Sequence, residues 1–332
     1  MTRKILLVAG LISLVAGGLS SCRTDVDIAG KYKETTIVYG LLNQYDTVQY
    51  IRIQKAFLVN DNVLDYTKVP DSIYYKPEDL NVRIEKLNPT NNQVIQTIPC
   101  FPTTISKDTG TFAGGNQLIY RTNAALDSSK TYRLRITNLK TGKEISGTTS
   151  LVSGLKVKQP GTGTVVWNSP SRKGYDIRWT PASNGYIYQM QIVFHWVNED
   201  IVTGATSKDS LIWSFAPIQR SGSAEIVYNI PQNNFYRFVQ EQLEPAPGIR
   251  RKIGLLDFRF YVGTEELDQY ISINKPSTGL IQEKPLYTNM ENALGIFSAR
   301  GRFEKTGVAM SSAAMDTLVL GPYTGDLGFK KP

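Results

Sequence analysis

The sequence predicts an all-β protein built from two antiparallel β-sandwich domains in tandem. Three observations predict it. Short segments alternate apolar and polar side chains with a period of two, the pattern of half-buried strands. Turn residues separate these segments, and only one or two stretches show a helical period. At 332 residues the chain is long for one hydrophobic core and comfortable for two. Hydrophobic residues make up 41% and aromatics 10% of it, globular values that argue against gross disorder.

The first domain is expected over residues 34–152. Thr35-Thr36-Ile37-Val38-Tyr39 runs to Gly40. Ile51 and Ile53 then alternate with Tyr50, Arg52 and Gln54, and Val82 and Ile84 with Arg83 and Glu85. Tyr132, Leu134 and Ile136 share one face of the next strand, with Arg133 and Arg135 on the other. The turn Lys140-Thr141-Gly142-Lys143 folds it back into Glu144-Ile145-Ser146-Gly147-Thr148. Pro160-Gly161-Thr162-Gly163-Thr164 reads as a linker or strand lead-in. Its Gly-x-Gly lacks both the third glycine and the following helix of a phosphate loop.

The second domain is expected over 153–332. Tyr175, Ile177 and Trp179 share a face; then Tyr188, Met190, Ile192, Phe194 and Trp196 oppose Gln189, Gln191, Val193 and His195. Leu211–Phe215 and Ala224–Tyr228 continue the sheet, and Leu256, Phe258, Phe260 and Val262 mark another strand. All four tryptophans (167, 179, 196, 213) lie here and read mostly as core. Phe235, Phe238, Val239 and Leu243 recur at helical spacing over 234–243, with Asn233 or Asn234 as cap. A second short helix is expected over 265–271, capped by Thr264. The expected class is therefore two immunoglobulin- or fibronectin-III-like sandwiches with one or two helical insertions in the second.

Residues 1–21 are built like a secretory signal peptide: Arg3 and Lys4, an apolar run from Ile5 to Val15, then small residues. The run is shorter than the roughly 20 residues of a spanning helix. Leu19-Ser20-Ser21-Cys22 resembles the bacterial lipobox, which implies cleavage between Ser21 and Cys22 and a diacylglyceryl group on the Cys22 thiol. Residues 22–33 then form a lipidated tether. Asp25 and Asp27, close behind the acylated cysteine, resemble the export signal of surface lipoproteins, so the cell surface is expected, with the periplasmic face of the outer membrane as the alternative.

No constellation of catalytic, cofactor or metal residues emerges. With Cys22 lipidated, Cys100 has no partner for a disulfide and reads as a small buried hydrophobe. His195 is the single imidazole, and no Gly-x-Ser-x-Gly elbow exists, so a serine or cysteine triad is not indicated. One histidine and one free thiol do not make a zinc site. Asn60-Asp61-Asn62 with Asp65 lacks the spacing of a calcium loop and reads as an exposed turn. With 37 basic and 29 acidic residues the charge excess is mild and unclustered, which argues against nucleic acid as a partner.

Three further segments carry a family likeness: Thr36-Ile37-Val38-Tyr39-Gly40-Leu41; Tyr132 to Ile136 leading to Ile145-Ser146-Gly147-Thr148; and Tyr287 to Phe297, closed by Asn289, Gly295 and Phe297. With Cys22 they resemble Bacteroidota outer-membrane lipoproteins classed as a domain of unknown function, often encoded beside TonB-dependent transporters. This chain has Asn292-Ala293 where the pattern expects a glycine. The resemblance implies location, architecture and a TonB-dependent transporter as a partner, but no site. The expectation is a non-enzymatic binding or accessory lipoprotein, held in the outer membrane by acyl chains on Cys22, for such a transporter or for an extracellular glycan or peptide. A structural or adhesive surface protein is the alternative, and a carbohydrate-active enzyme with an unrecognised carboxylate pair the weaker one.

Overall fold

A computed structural model describes residues 35–56, 73–107, 115–168, 173–220, 222, 224–275 and 286–332. The leader, Ser21, Cys22, the tether and the Asn60–Asp65 turn lie outside the described residues. Among those described, the chain is all-β, with open sheets stacked as sandwiches and three α-helices between them. Its first half supplies β1 (Thr35–Leu42), β2 (Gln49–Ala56), β3 (Leu80–Leu87), β4 (Val94–Pro99), β5 (Phe101–Lys107), β6 (Gly115–Thr122), β7 (Thr131–Asn138) and β8 (Glu144–Ser150). The second half supplies β9 (Lys156–Gln159), β10 (Gly174–Thr180), β11 (Ile187–Asp200), β12 (Thr206–Ser214), β13 (Ile218–Gln219) and β14 (Ile226–Pro231). There follow α1 (Asn234–Gln242), β15 (Ile249–Gly263), α2 (Glu265–Asn274), β16 (Met290–Glu291), β17 (Leu294–Val308), α3 (Ser312–Leu320) and β18 (Phe329–Lys330).

The predicted alternations fall on the predicted faces. Ile51, Ile53, Val82, Ile84, Tyr132, Leu134 and Ile136 are all buried, while Tyr50, Arg52, Arg133 and Arg135 face outward or lie at the rim. Gly142 makes the β7–β8 turn in the left-handed region, at φ 71°, where glycine has no steric penalty. These strands form a five-stranded sheet in the order β16-β8-β7-β3-β4, packed on the limb β17-β1-β2-β6-β5 of a ten-stranded sheet. Pro99 and Cys100 pass the chain from one sheet to the other between β4 and β5. Cys100 is buried there, with its N–H bonded to the Val82 carbonyl.

The second unit packs β14-β10-β9 against β12-β11-β15-β17 of the ten-stranded sheet. Trp179 sits on Phe260 (5.0 Å between centroids), and Trp167 stacks on Phe235 of α1 at 4.7 Å. Phe238 stacks on Trp213 at 5.0 Å, so α1 plugs the aromatic core as its spacing predicted. Its start differs from the expected cap. Asn233 adopts a left-handed backbone (φ 68°), and its side-chain amide bonds to Asn168 rather than to the helix. Thr264 caps α2 as expected, accepting from Leu267 N–H, and the helix continues to Asn274. Helix α3 was not foreseen; Ser311 caps it, and Tyr236 of α1 donates to its Ala314 carbonyl at 3.0 Å.

One strand ties the two units together. The first part of β17, Leu294–Ala299, runs parallel to Ile37–Leu42 of β1. Its remainder, Arg300–Val308, runs antiparallel to Gly263–Leu256 of β15. β16 likewise joins the edge of β8. The boundary expected at residue 152 therefore separates the strands in sequence but not the sheets in space. The N-terminal sandwich is closed by residues 290–299.

Candidate binding groove

Two depressions on the ten-stranded sheet share Leu41, Asp46 and Arg300. The larger, about 560 Å³, lies over β17, β15 and β11 and is walled by Leu267 and Ile271 of α2. The smaller, about 360 Å³, lies over β1, β2 and β6 and reaches Ile105 on β5. Together they make one groove across seven strands.

Strand alternation decides what the groove displays. In β1 the inward residues Val38 and Leu42 enter the core, so Tyr39 and Leu41 face the groove. The same rule presents Tyr50 and Arg52 from β2, Tyr261 from β15, Gln189 from β11, and Arg300 and Arg302 from β17. The Arg52 guanidinium lies 4.4 Å from the centre of the Tyr39 ring, and Tyr270 of α2 meets that ring edge-on at 6.1 Å. Burial pushes the Tyr270 hydroxyl up to about 12, and its bond to Tyr39 adds to the rise, so the Tyr270 hydroxyl stays neutral. Arg302 lies 5.9 Å from the centre of the Tyr261 ring.

Three arginines and one carboxylate line the groove. Arg302 is engaged by Glu304, which also takes Arg259. Arg300 meets Asp46 only at 3.8 Å, with both side chains about half exposed, a geometry that contributes little. Arg52 has no ion pair or hydrogen-bond partner among the described residues; the Tyr39 face holds it, and its Nε is buried without a partner. A guanidinium stacked on an aromatic keeps its planar N–H edge available for carboxylate or another planar anion. The groove can therefore bind flat rings and anionic groups side by side.

Other features account for themselves structurally. A polar cleft of about 490 Å³ between β8 and the start of α2 contains Glu265, Glu266 and Arg220. Its two carboxylates are neighbours in the first turn of α2, where the helix dipole favours negative charge, and do not oppose each other. His195 bonds through Nε2 to Asp257 at 2.8 Å, and Asp257 also accepts the Gly307 N–H, so the histidine is a hydrogen-bonded strand residue. Burial pushes the Cys100 thiol up to about 12, which leaves it without thiolate character. Among the described residues, no group of three or more His, Cys, Asp or Glu is placed to hold a metal ion.

The Tyr287–Phe297 segment also has a structural role. The Asn289 side chain donates to the Phe297 carbonyl (2.7 Å) and accepts its N–H (2.9 Å), as a neighbouring strand would. Asn292 fills the position where glycine was expected, in the left-handed region at φ 59°. The groove residues themselves were not singled out in the sequence, because each is an ordinary outward residue of its own strand.

No family model matches the sequence, and no curated protein matches it. Among solved structures, the chain is similar to a cytokine receptor complex at 10% identity, over 83% of this chain and 99% of that one, with a TM-score of 0.21, a likeness too distant to carry an argument.

Proposed function

We propose that the mature chain is an outer-membrane lipoprotein, anchored through acyl chains on Cys22, that displays its sandwiches at the cell surface as a non-enzymatic binding module. Its ligand is an extracellular glycan or peptide, or it serves as accessory to a TonB-dependent transporter. The observation that supports binding is the groove: a long depression of aromatic and guanidinium groups on a sheet whose strands leave few ways to deform it. Hydrolysis of a glycoside takes two opposed carboxyl groups, and the groove is lined by Asp46 alone, which favours binding over catalysis there. Two or more acyl chains make a stable anchor where one is marginal. The residues between Cys22 and β1 can reach at most about 45 Å, so the sandwiches stay close to the membrane they are tied to.

The anchor is tested by Cys22→Ala. Labelling with radioactive palmitate disappears and the protein is recovered in soluble form; label that persists overturns the lipobox reading. Surface display predicts digestion by protease added to intact cells, whereas full protection assigns the chain to the periplasmic face.

A further inference from the structure

We propose that the groove binds a linear glycan bearing carboxylate groups, of the uronate type, with one carboxylate seated between Arg52 and Arg300. This rests on reading the groove as a binding site and adds the chemistry of its occupant. Both arginines line the smaller depression, and neither is neutralised. Arg52 has no acidic partner among the described residues, and Arg300 has only the long, exposed contact to Asp46. Arg302, one outward position along β17 from Arg300, offers a second cationic point farther along the groove, tempered by Glu304. Charge complementarity therefore calls for a ligand with repeated, not single, negative groups.

The remaining lining fits sugar rings better than a peptide. Tyr50 is 47% exposed, and with Tyr39 and Tyr261 it offers ring surface beside the arginines. Gln117 and Gln189 offer amides suited to hydroxyl groups. An extended peptide gains much of its affinity by adding to a free strand edge. Here the floor includes strands paired on both sides: Tyr39 and Gly40 of β1 pair with β2 and β17, and Tyr261 to Gly263 of β15 pair with β11 and β17, so neither offers a free edge to the groove. The groove crosses those strands rather than following an edge.

Isothermal titration of the mature chain with polygalacturonate, neutral galactan and poly-L-glutamate tests this. Polygalacturonate is expected to bind at least tenfold more tightly than either of the others, and more weakly as salt rises. Arg52→Gln and Arg300→Gln should each reduce its affinity about tenfold or more, the scale of a lost charge-assisted hydrogen bond. Lys140→Gln, far from the groove, should leave it unchanged, and melting curves should show all three variants folded. Poly-L-glutamate binding as tightly as polygalacturonate overturns the glycan assignment in favour of an acidic peptide. Galactan binding that Tyr50→Ala abolishes and both arginine variants leave intact overturns the carboxylate seat but keeps the groove. No binding by any of the three polymers overturns the seat and the groove reading together.

Discussion

Phe297→Ala tests whether the shared strand makes the two sandwiches one cooperative unit. Phe297 is fully buried on β17, beside Gly40 of β1 and across from Gly147 of β8. A Cβ added at Gly40 would lie 2.9 Å from Cδ2 of its ring, and one at Gly147 would lie 3.2 Å from its Cβ. The phenylalanine ring thus fills space that the missing side chain of Gly40 leaves open. Removing a buried phenylalanine costs about 3–5 kcal/mol, lost transfer energy plus the cavity left behind. At about 2 °C per kcal/mol for a chain of this size, the melting temperature should fall by roughly 6–10 °C. The decisive readout is spectroscopic. All four tryptophans lie in the second unit, so near-ultraviolet circular dichroism reports that unit, whereas Phe297 belongs to the core of the first. The continuous strand predicts that the tryptophan signal melts at the lowered temperature, together with the far-ultraviolet signal. A tryptophan transition that stays in place while a separate one moves down would refute the coupling.

Gly295→Ala should be among the most damaging single changes, at about 4 kcal/mol or more by urea unfolding, because the residue has φ 106° and an added Cβ would lie 2.0 Å from the Val38 carbonyl oxygen. Glu85→Gln should cost about 2–3 kcal/mol at neutral pH, since it strips Arg133, Arg135 and Arg83 of their shared, nearly buried carboxylate. Burial pushes the Glu85 carboxyl up, but the Arg133 hydrogen bond and the three nearby positive charges outweigh it and hold it below its ordinary value of 4.5. Below that value the unfolded chain takes up this proton before the folded one. The stabilisation is therefore complete above about pH 5 and fades as pH falls through the depressed folded value, and melting curves of the two proteins should converge in that acidic window. Gly147→Ala should cost about 1–3 kcal/mol through overpacking against the Met290 thioether, and less in a Met290→Ala background, which a double-mutant cycle measures.

Strands were legible where one face meets a core and the other meets water. The alternation in β2, β3, β7, β10, β11 and β15 marked both the strand and its buried side, and β1 was legible as a strand. It failed where burial is not one-sided. β4 is an edge strand with Val94 and Ile95 half exposed, so no apolar stripe marks it. β17 carries glycines at 295, 301 and 307 and changes partner near residue 299, and its pattern changes with it. Helix α3 is short and alanine-rich, leaving only the Ser311 cap and Gly321 as signals. The groove was illegible for a different reason. Tyr39, Arg52, Tyr261 and Arg300 lie on four strands and come together only through sheet order, which no local spacing encodes.

The segments that carry the family likeness converge in space, and what they do there is largely structural. Gly40 of the early strand, Gly147 of the β8 strand, and Asn289, Gly295 and Phe297 of the late segment meet where β17 enters between β1 and β15. They solve steric and hydrogen-bonding problems there: Gly40 makes room for the Phe297 ring, Gly147 for the Met290 side chain, Gly295 lets backbone approach backbone, and Asn289 stands in for a strand. Of these five residues only Gly40 lines the groove, together with its segment neighbours Tyr39 and Leu41. Yet the same strand, a few residues on, turns Arg300 and Arg302 outward beside Tyr261 and close to Asp46. Fixing β17 through its first six residues thus sets the depth and register of both arginines. The motif holds a frame, and the outward residues of β17 take their places in the groove from it.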